Sequence, residues 1–278
     1  NMDLFLIISR RLAIGLVTVL FVSLLVFAGT ELLPGDVAQA ILGQGATPEL
    51  IANVHARLGL DQPILVRYFK WLGNLVTGEL GTSLANGREI TELMSERSGN
   101  TFLLASVTAL VAVPLSILLG LIAATKPNGK VDKVISGVTL TLISIPDFLV
   151  AVILVSIFSV QLGWLPALST LRPNSDFLQI ARTLALPVTA LSFTILAHMA
   201  RMTRTAVINV LTTPAIEMAI LKGVPKSRIL LIHALLNAIA PIINVIALNL
   251  AYLISGVVVI ETLFNLNGLG KLMVEAVT

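Results

Sequence analysis

From residue 101 to residue 125 the chain carries no charged side chain, and the same holds for residues 12–30 and 234–260. These runs constrain the fold more than any other feature. A helix needs about 20 apolar residues to cross the hydrocarbon core of a bilayer. Inside lipid a helix satisfies its own backbone hydrogen bonds, which an open strand does not. Two further segments fit, residues 134–161, interrupted by Pro146 and Asp147, and residues 183–200. Five spans are predicted, in an all-α polytopic membrane protein. Composition agrees: 12% of residues are charged and 56% hydrophobic, against roughly 25% and 45–50% in soluble domains. Continuous apolar runs, without alternation, argue against a β-barrel. The first run is long and lacks a small-residue cleavage site, so it reads as a retained span and not as a signal peptide.

The chain divides into three stretches. Residues 1–30 hold the N-terminal end and span one. Residues 31–99 are semi-polar and form an amphipathic layer outside the membrane. In "TPELIANVHARLGL", Thr47 and Pro48 are an N-cap and a first helical residue. In "DQPILVRYFKWLGNLV", Ile64, Leu65, Tyr68, Phe69, Leu72, Leu75 and Val76 share one helical face. Gly78, Gly81 and Gly87 then break the pattern. Residues 100–278 are the core, with spans two to five, a polar loop at about 205–236 and a glycine-marked segment at 261–278. "KPNGKVDK" is a tight turn between spans two and three.

Basic residues in short loops orient a membrane protein. Arg10 and Arg11, then Lys126, Lys130 and Lys133, then Arg201, Arg204, Lys222, Lys226 and Arg228 fall on one side. The opposite short loop has Arg172 and Arg182. The N-terminus and the 205–236 loop are therefore expected in the cytoplasm, and Thr278 outside.

Enzyme signatures are missing. The chain has no cysteine, and its three histidines, His55, His198 and His233, are scattered, without an H-E-x-x-H zinc motif. There is no G-x-S-x-G elbow. "NLNGLGKL" lacks the first glycine of a phosphate loop and the hydroxyl residue after Lys271. The chain is not expected to be an enzyme, to bind ATP or to hold a metal or cofactor.

The stretch "TTPAIEMAILKGVPKSRILLIHALLNAIAP" lies in the cytoplasmic loop. Thr213 is placed to N-cap a helix that Pro214 begins and Lys222–Gly223 ends. Ile216, Ala219 and Ile220 share a face, with Ala215, Met218 and Leu221 beside it. Glu217 near the start and Lys222 at the end suit the helix dipole. A helix too short to span and too apolar to be solvated either lies on its own protein or docks in a partner's groove.

These residues resemble the cytoplasmic "EAA" loop of ABC-transporter permease subunits, in the variant of dipeptide and oligopeptide importers. Glu217, Ala219 and Gly223 match the E-x-A-x-x-x-G core; Met218 departs from the middle alanine. "ELLPGD" with "LGLDQPILVRYFKWLGNLVTGELGTS", "ERSGNTFLLA" and "ETLFNLNGLGKL" resemble, in order, the first external loop, the entry to span two and the motif after span five. The resemblance covers nearly the whole chain. It implies a type I ABC importer transmembrane domain with a sixth C-terminal span, which is not among these residues. It also implies a second related permease subunit as heterodimer partner, two cytoplasmic ATPase domains carrying ATP and magnesium, and an extracytoplasmic substrate-binding protein. The setting would be a bacterial inner membrane.

On this resemblance Ala215, Ile216, Glu217, Met218, Ala219, Ile220, Lys222, Gly223 and Arg228 are the candidate ATPase-coupling residues. Asp147, Glu261, Phe264, Gly268 and Gly270 are candidates for the translocation path or its gate. Asp147 fits two roles, since an intramembrane carboxylate faces a cavity or partner or caps the break at Pro146. Glu261 fits a gate or an ordinary membrane-edge charge. His198, with Arg201 and Arg204, fits a cytoplasmic anchor or a substrate site. Gly268 and Gly270 read as turn formers. Related permeases for nickel chelates, glycosides or opine-like compounds remain alternatives. An ion-coupled secondary transporter would show inverted repeats, and none is evident.

Overall fold

In a computed structural model, residues 2–32, 35–43, 46–84, 86–171 and 175–277 are described. Leu33 and Pro34 of the "ELLPGD" motif, Arg172 and Thr278 lie outside them. The elements are helical: α1 (Met2–Leu32), α2 (Val37–Leu42), α3 (Pro48–Leu58), α4 (Ile64–Thr77), α5 (Ile90–Thr125), α6 (Lys130–Ser144), α7 (Asp147–Leu154), α8 (Phe177–Leu211), α9 (Pro214–Leu221), α10 (Lys226–Arg228), α11 (Leu235–Leu263) and α12 (Leu269–Glu275). Wider π-type turns extend α7 over Val155–Gln161 and join α10 to α11 over Ile229–Ala234. Among the described residues four helices are long and apolar enough to cross a membrane, and a bent pair makes a fifth if it is one span. The chain separates into two compact units, residues 1–93 and 94–278.

In the first unit, α1 is apolar on every side and its side chains are largely exposed, as suits a helix solvated by lipid. Helix α4 clasps its second half. Ser23 and Tyr68 share a hydrogen bond of 2.8 Å, the Phe27 ring meets Tyr68 edge-on at 5.5 Å, and Arg67 pairs with Glu31. The predicted stripe on α4 is mostly not used this way. Tyr68 is buried, while Ile64, Leu65, Phe69, Leu75 and Val76 stay exposed. Thr47 caps α3 as expected, accepting from the Leu50 N–H, with Pro48 at its first position. Gly78, Gly81 and Gly87 all have positive φ, which explains the breaks.

The second unit is built on α8 and α11. Leu191, Ile195 and Met199 of α8 meet Leu253, Val257 and Ile260 of α11 in one core, to which α5 adds Leu104. A second cluster joins Leu121 and Ala124 of α5 to Val207, Ala238 and Ile242. Gly120 lets α5 come against α8: a Cβ there would lie 2.6 Å from Thr203 Cβ and 2.8 Å from the Ala200 carbonyl oxygen. Small residues permit this approach where lipid offers no hydrophobic drive between helices.

Several expected spans have different ends. Helix α5 begins well before residue 101 and includes the "ERSGNTFLLA" entry. Helix α8 runs from Phe177 to Leu211, through Arg201 and Arg204, without a break at residue 200. The segment expected as span three is not straight, because α6 and α7 meet at 101°. Ile145, held extended by the proline that follows (φ −97°, ψ 126°), ends α6, and Pro146 caps α7.

Candidate functional site

Three places in the second unit hold the residues singled out by sequence. The first is α9. Thr213 takes the extended N-cap conformation (φ −81°, ψ 149°), and Pro214 begins the helix. The cap hydrogen bond expected from Thr213 is absent: its hydroxyl donates back to the Val210 carbonyl at 2.7 Å, tying the turn to the end of α8. Gly223, at φ 75°, closes the helix. Its N–H donates to Ile220 O at 2.9 Å, and the Val224 N–H donates to Ala219 O at 3.1 Å. This pair of bonds is a Schellman stop, which favours glycine.

The faces of α9 correct the sequence reading. Ile216, expected on the docking face, is 3% exposed and packs inward, with Ala219 half-buried on the same side. Met218 at 55%, Ile220 at 58% and Leu221 at 77% are exposed, along with Ala215, Glu217, Lys222 and Arg228. At 100° per residue, Pro214, Glu217, Met218 and Leu221 form the outward ridge, opposite Ile216. Leu221, absent from the candidate coupling residues, is the most exposed apolar side chain on α9. Its signal in the sequence was the i, i+3 spacing from Met218.

The second place is the break between α6 and α7. Asp147 opens α7, yet its carboxylate caps neither helix. The Thr194 hydroxyl of α8 donates to Oδ1, and the Tyr252 hydroxyl of α11 donates to Oδ2 at 2.7 Å. The first turn of α7 is closed by backbone bonds from Leu149 and Val150 to Pro146 O. Asp147 faces a cleft of ≈ 420 Å³, lined also by Pro146, Phe148, Thr194, His198 and Tyr252. His198 lies on the cleft wall, one turn beyond Thr194. Sequence reasoning missed Thr194 and Tyr252. Their only local mark is a hydroxyl in an apolar run.

The third place follows α11. Glu261, expected at the membrane edge, is fully buried. The Thr101 hydroxyl donates to its Oε1, the Lys271 N–H donates to Oε2 at 3.1 Å, and Thr101 Oγ1 in turn accepts from the Leu269 N–H at 2.8 Å. Phe264 is fully buried too, and its carbonyl accepts from the Ser169 N–H at 2.7 Å. Gly268 and Gly270 act by close approach and not by turn geometry. A Cβ on Gly268 would overlap the Glu261 carboxylate, and one on Gly270 would lie 2.6 Å from Val258 Cα. Glu261 therefore ties α5 and α12 to α11, and Phe264 packs into the core, both side chains without exposed surface.

Arg204 is also not free. Its guanidinium makes a two-pronged bond to Asp132, with Nη2 2.6 Å from Oδ2, and Asp132 is 3% exposed. The Asn128 N–H donates to the same carboxylate at 2.7 Å, so the "KPNG" turn, α6 and α8 are joined at one point. Among the described residues no cluster of three or more His, Asp or Glu side chains is placed to hold a metal.

Comparison with known proteins decides the family. Residues 116–278 match the binding-protein-dependent transport system inner membrane component, and residues 2–105 match the N-terminal region of such membrane components. The chain belongs to this family. It is similar to a probable peptide ABC transporter permease of Sinorhizobium fredii, 34% identical over 270 residues, covering 97% of this chain and 86% of that protein. A putative peptide transport system permease of Brucella abortus is 35% identical with the same coverage. A glutathione transport system permease of Salmonella choleraesuis is 36% identical over 271 residues, again covering 97% and 86%. The resemblance carried by the "EAA"-like loop is borne out, as is the all-helical, multi-pass membrane architecture of this binding-protein-dependent permease family.

Proposed function

We propose that the chain is the membrane-spanning subunit of an ATP-driven importer of di- and oligopeptides. In this reading it pairs with a second related permease subunit in a bacterial inner membrane, its N-terminus in the cytoplasm. ATP and magnesium sit on two separate ATPase domains, and cargo arrives from an extracytoplasmic binding protein. Residues 31–99 lie outside and help that protein dock. The loop at about 205–236 faces the ATPase, and residues 261–278 lie at the outer end.

One observation carries this reading: α9 turns Met218 and Leu221 outward beside Glu217 while Ile216 anchors it from behind. An exposed apolar ridge on a capped cytoplasmic helix suits a groove on a soluble partner. Continuity of α8 to Leu211, with only Thr212 and Thr213 before α9, makes a short and stiff linkage for motion. The names of the similar permeases, for peptides and for glutathione, favour peptide cargo over chelates or glycosides.

The test is reconstitution of the importer with its partners in proteoliposomes. Met218→Glu with Leu221→Glu is expected to reduce peptide uptake at least about tenfold, since two hot-spot-sized contacts of about 1–2 kcal/mol each are lost. The variant chain still inserts, and capture of the ATPase in detergent is expected to fall in parallel. Wild-type uptake and ATPase capture in this variant would sink the docking role.

A further inference from the structure

Building on the peptide-importer reading, we propose that the cleft at the α6–α7 break is a station on the translocation path, where Asp147 receives the α-ammonium of the passing peptide. Among the described residues that line the cleft, Asp147 carries the one fixed charge, His198 is the other ionisable group, and the Asp147 oxygens accept from two neutral hydroxyls, Thr194 and Tyr252. Among the described residues no ion pair includes it. An intramembrane carboxylate pairs with another charged group or serves a pathway. Arg204 shows the alternative in the same chain, since it is matched in both prongs by Asp132.

The placement fits a passing ligand. Thr194 lies within the apolar run of residues 183–200 expected as a span, so the cleft opens beside the membrane-spanning part of α8. The helix break clears space that a straight span would fill. Each carboxylate oxygen accepts one hydroxyl and keeps a further lone pair for an incoming N–H. Phe148, 51% exposed, and Pro146 give an apolar wall for the first side chain of a peptide. A mostly apolar cleft of ≈ 420 Å³ with a few convergent polar groups is the ordinary form of a small-ligand site. Hydroxyl donors fix the carboxylate without cancelling its charge.

The experiment measures initial uptake of radiolabelled trialanine, whose only cation is its α-ammonium, by the complete importer with loaded binding protein. Asp147→Asn keeps the size and one acceptor oxygen but removes the charge, and uptake is expected to fall at least about tenfold. Asp147→Glu restores the charge and is expected to recover uptake to within about threefold. Wild-type uptake in Asp147→Asn would overturn the proposal, as would equal loss in both variants with loss of assembled complex, which would make the carboxylate a structural bracket. Trialanine with a photoreactive first residue should label residues 143–148 or 194–198 of the wild-type importer, and trialanine labelled at its last residue should not. Equal labelling from both ends would also overturn it. Failure of the peptide reading itself looks different: the wild-type importer would then take up no peptide, and the proposal would fall with it.

Discussion

Asp147 and Glu261 are both carboxylates on apolar helices of the same unit, and the structure treats them in opposite ways. Glu261 is closed off. A side-chain hydroxyl and a backbone N–H meet its two oxygens, and two glycines remove the atoms that would otherwise crowd it. Asp147 is half-buried beside a cleft and held only by hydroxyls from two other helices. The difference shows that a charge within a greasy segment is not by itself a pathway signal. What matters is whether the chain has already matched it.

The comparison breaks most readily at Glu261. Asp147→Asn is expected to cost uptake without lowering the yield of folded protein. Glu261→Ala is expected to do the reverse, because the Thr101 hydroxyl and the Lys271 N–H lose a charged acceptor in a dry site. The cost is roughly 2–3 kcal/mol, read as a lower midpoint for thermal unfolding in detergent, with uptake per folded complex little changed. If Glu261→Ala folded normally but transported poorly, the two carboxylates would share a role. Gly268→Ala sharpens the same point. It leaves every charge in place and forces a methyl into the Glu261 carboxylate, an overpacking cost of about 1–3 kcal/mol. A midpoint equal to wild type would show that α12 moves away freely.

Gly223→Ala gives a smaller effect. Its φ of 75° is disfavoured with a Cβ, by roughly 1–2 kcal/mol, while the surrounding space is open. Peptide uptake is expected to fall a few-fold and the chain to insert normally. Unchanged uptake would mean that the Schellman stop is not needed for transmission.

The smallest effect concerns a third carboxylate, Asp36, in the first unit. Its pKa lies below the usual carboxylate value chiefly because His55 bonds to it, at 2.7 Å, with the Ala38 N–H adding to the effect. A depressed folded pKa means that the contact stabilises the chain above the ordinary carboxylate value of 3.8 and is lost as pH falls through the lower folded value. Amide exchange at Ala38, corrected for intrinsic pH dependence, should show less protection at pH about 3 than at pH about 5. Equal protection at both would remove Asp36 as an acid-sensitive joint between α2 and α3.

Much of the fold was legible because its signals are local. Uncharged runs announced the membrane helices, Thr47 and Pro48 the start of α3, and Lys222–Gly223 the end of α9. Helix ends inside apolar stretches were less legible. Nothing in "ERSGNTFLLA" marks where lipid begins, so α5 starts earlier than expected, and the arginines of α8 do not stop that helix. The outward face of α9 was misread because Ile216 and Leu221 are equally apolar, and only packing tells them apart.

The residues themselves determined that this is a helical membrane protein with a short capped helix between two spans, because hydropathy, proline and glycine act over a few positions. The tertiary structure alone decided which carboxylate is sealed and which is open. Thr101 is far from Glu261 in the chain, and Tyr252 is far from Asp147, and no pattern in sequence reports the hydrogen bond that a distant helix will supply. It also decided why Gly268 and Gly270 are glycines. Their backbones make no special turn, and the constraint comes from a carboxylate and a helix that have no room for another carbon.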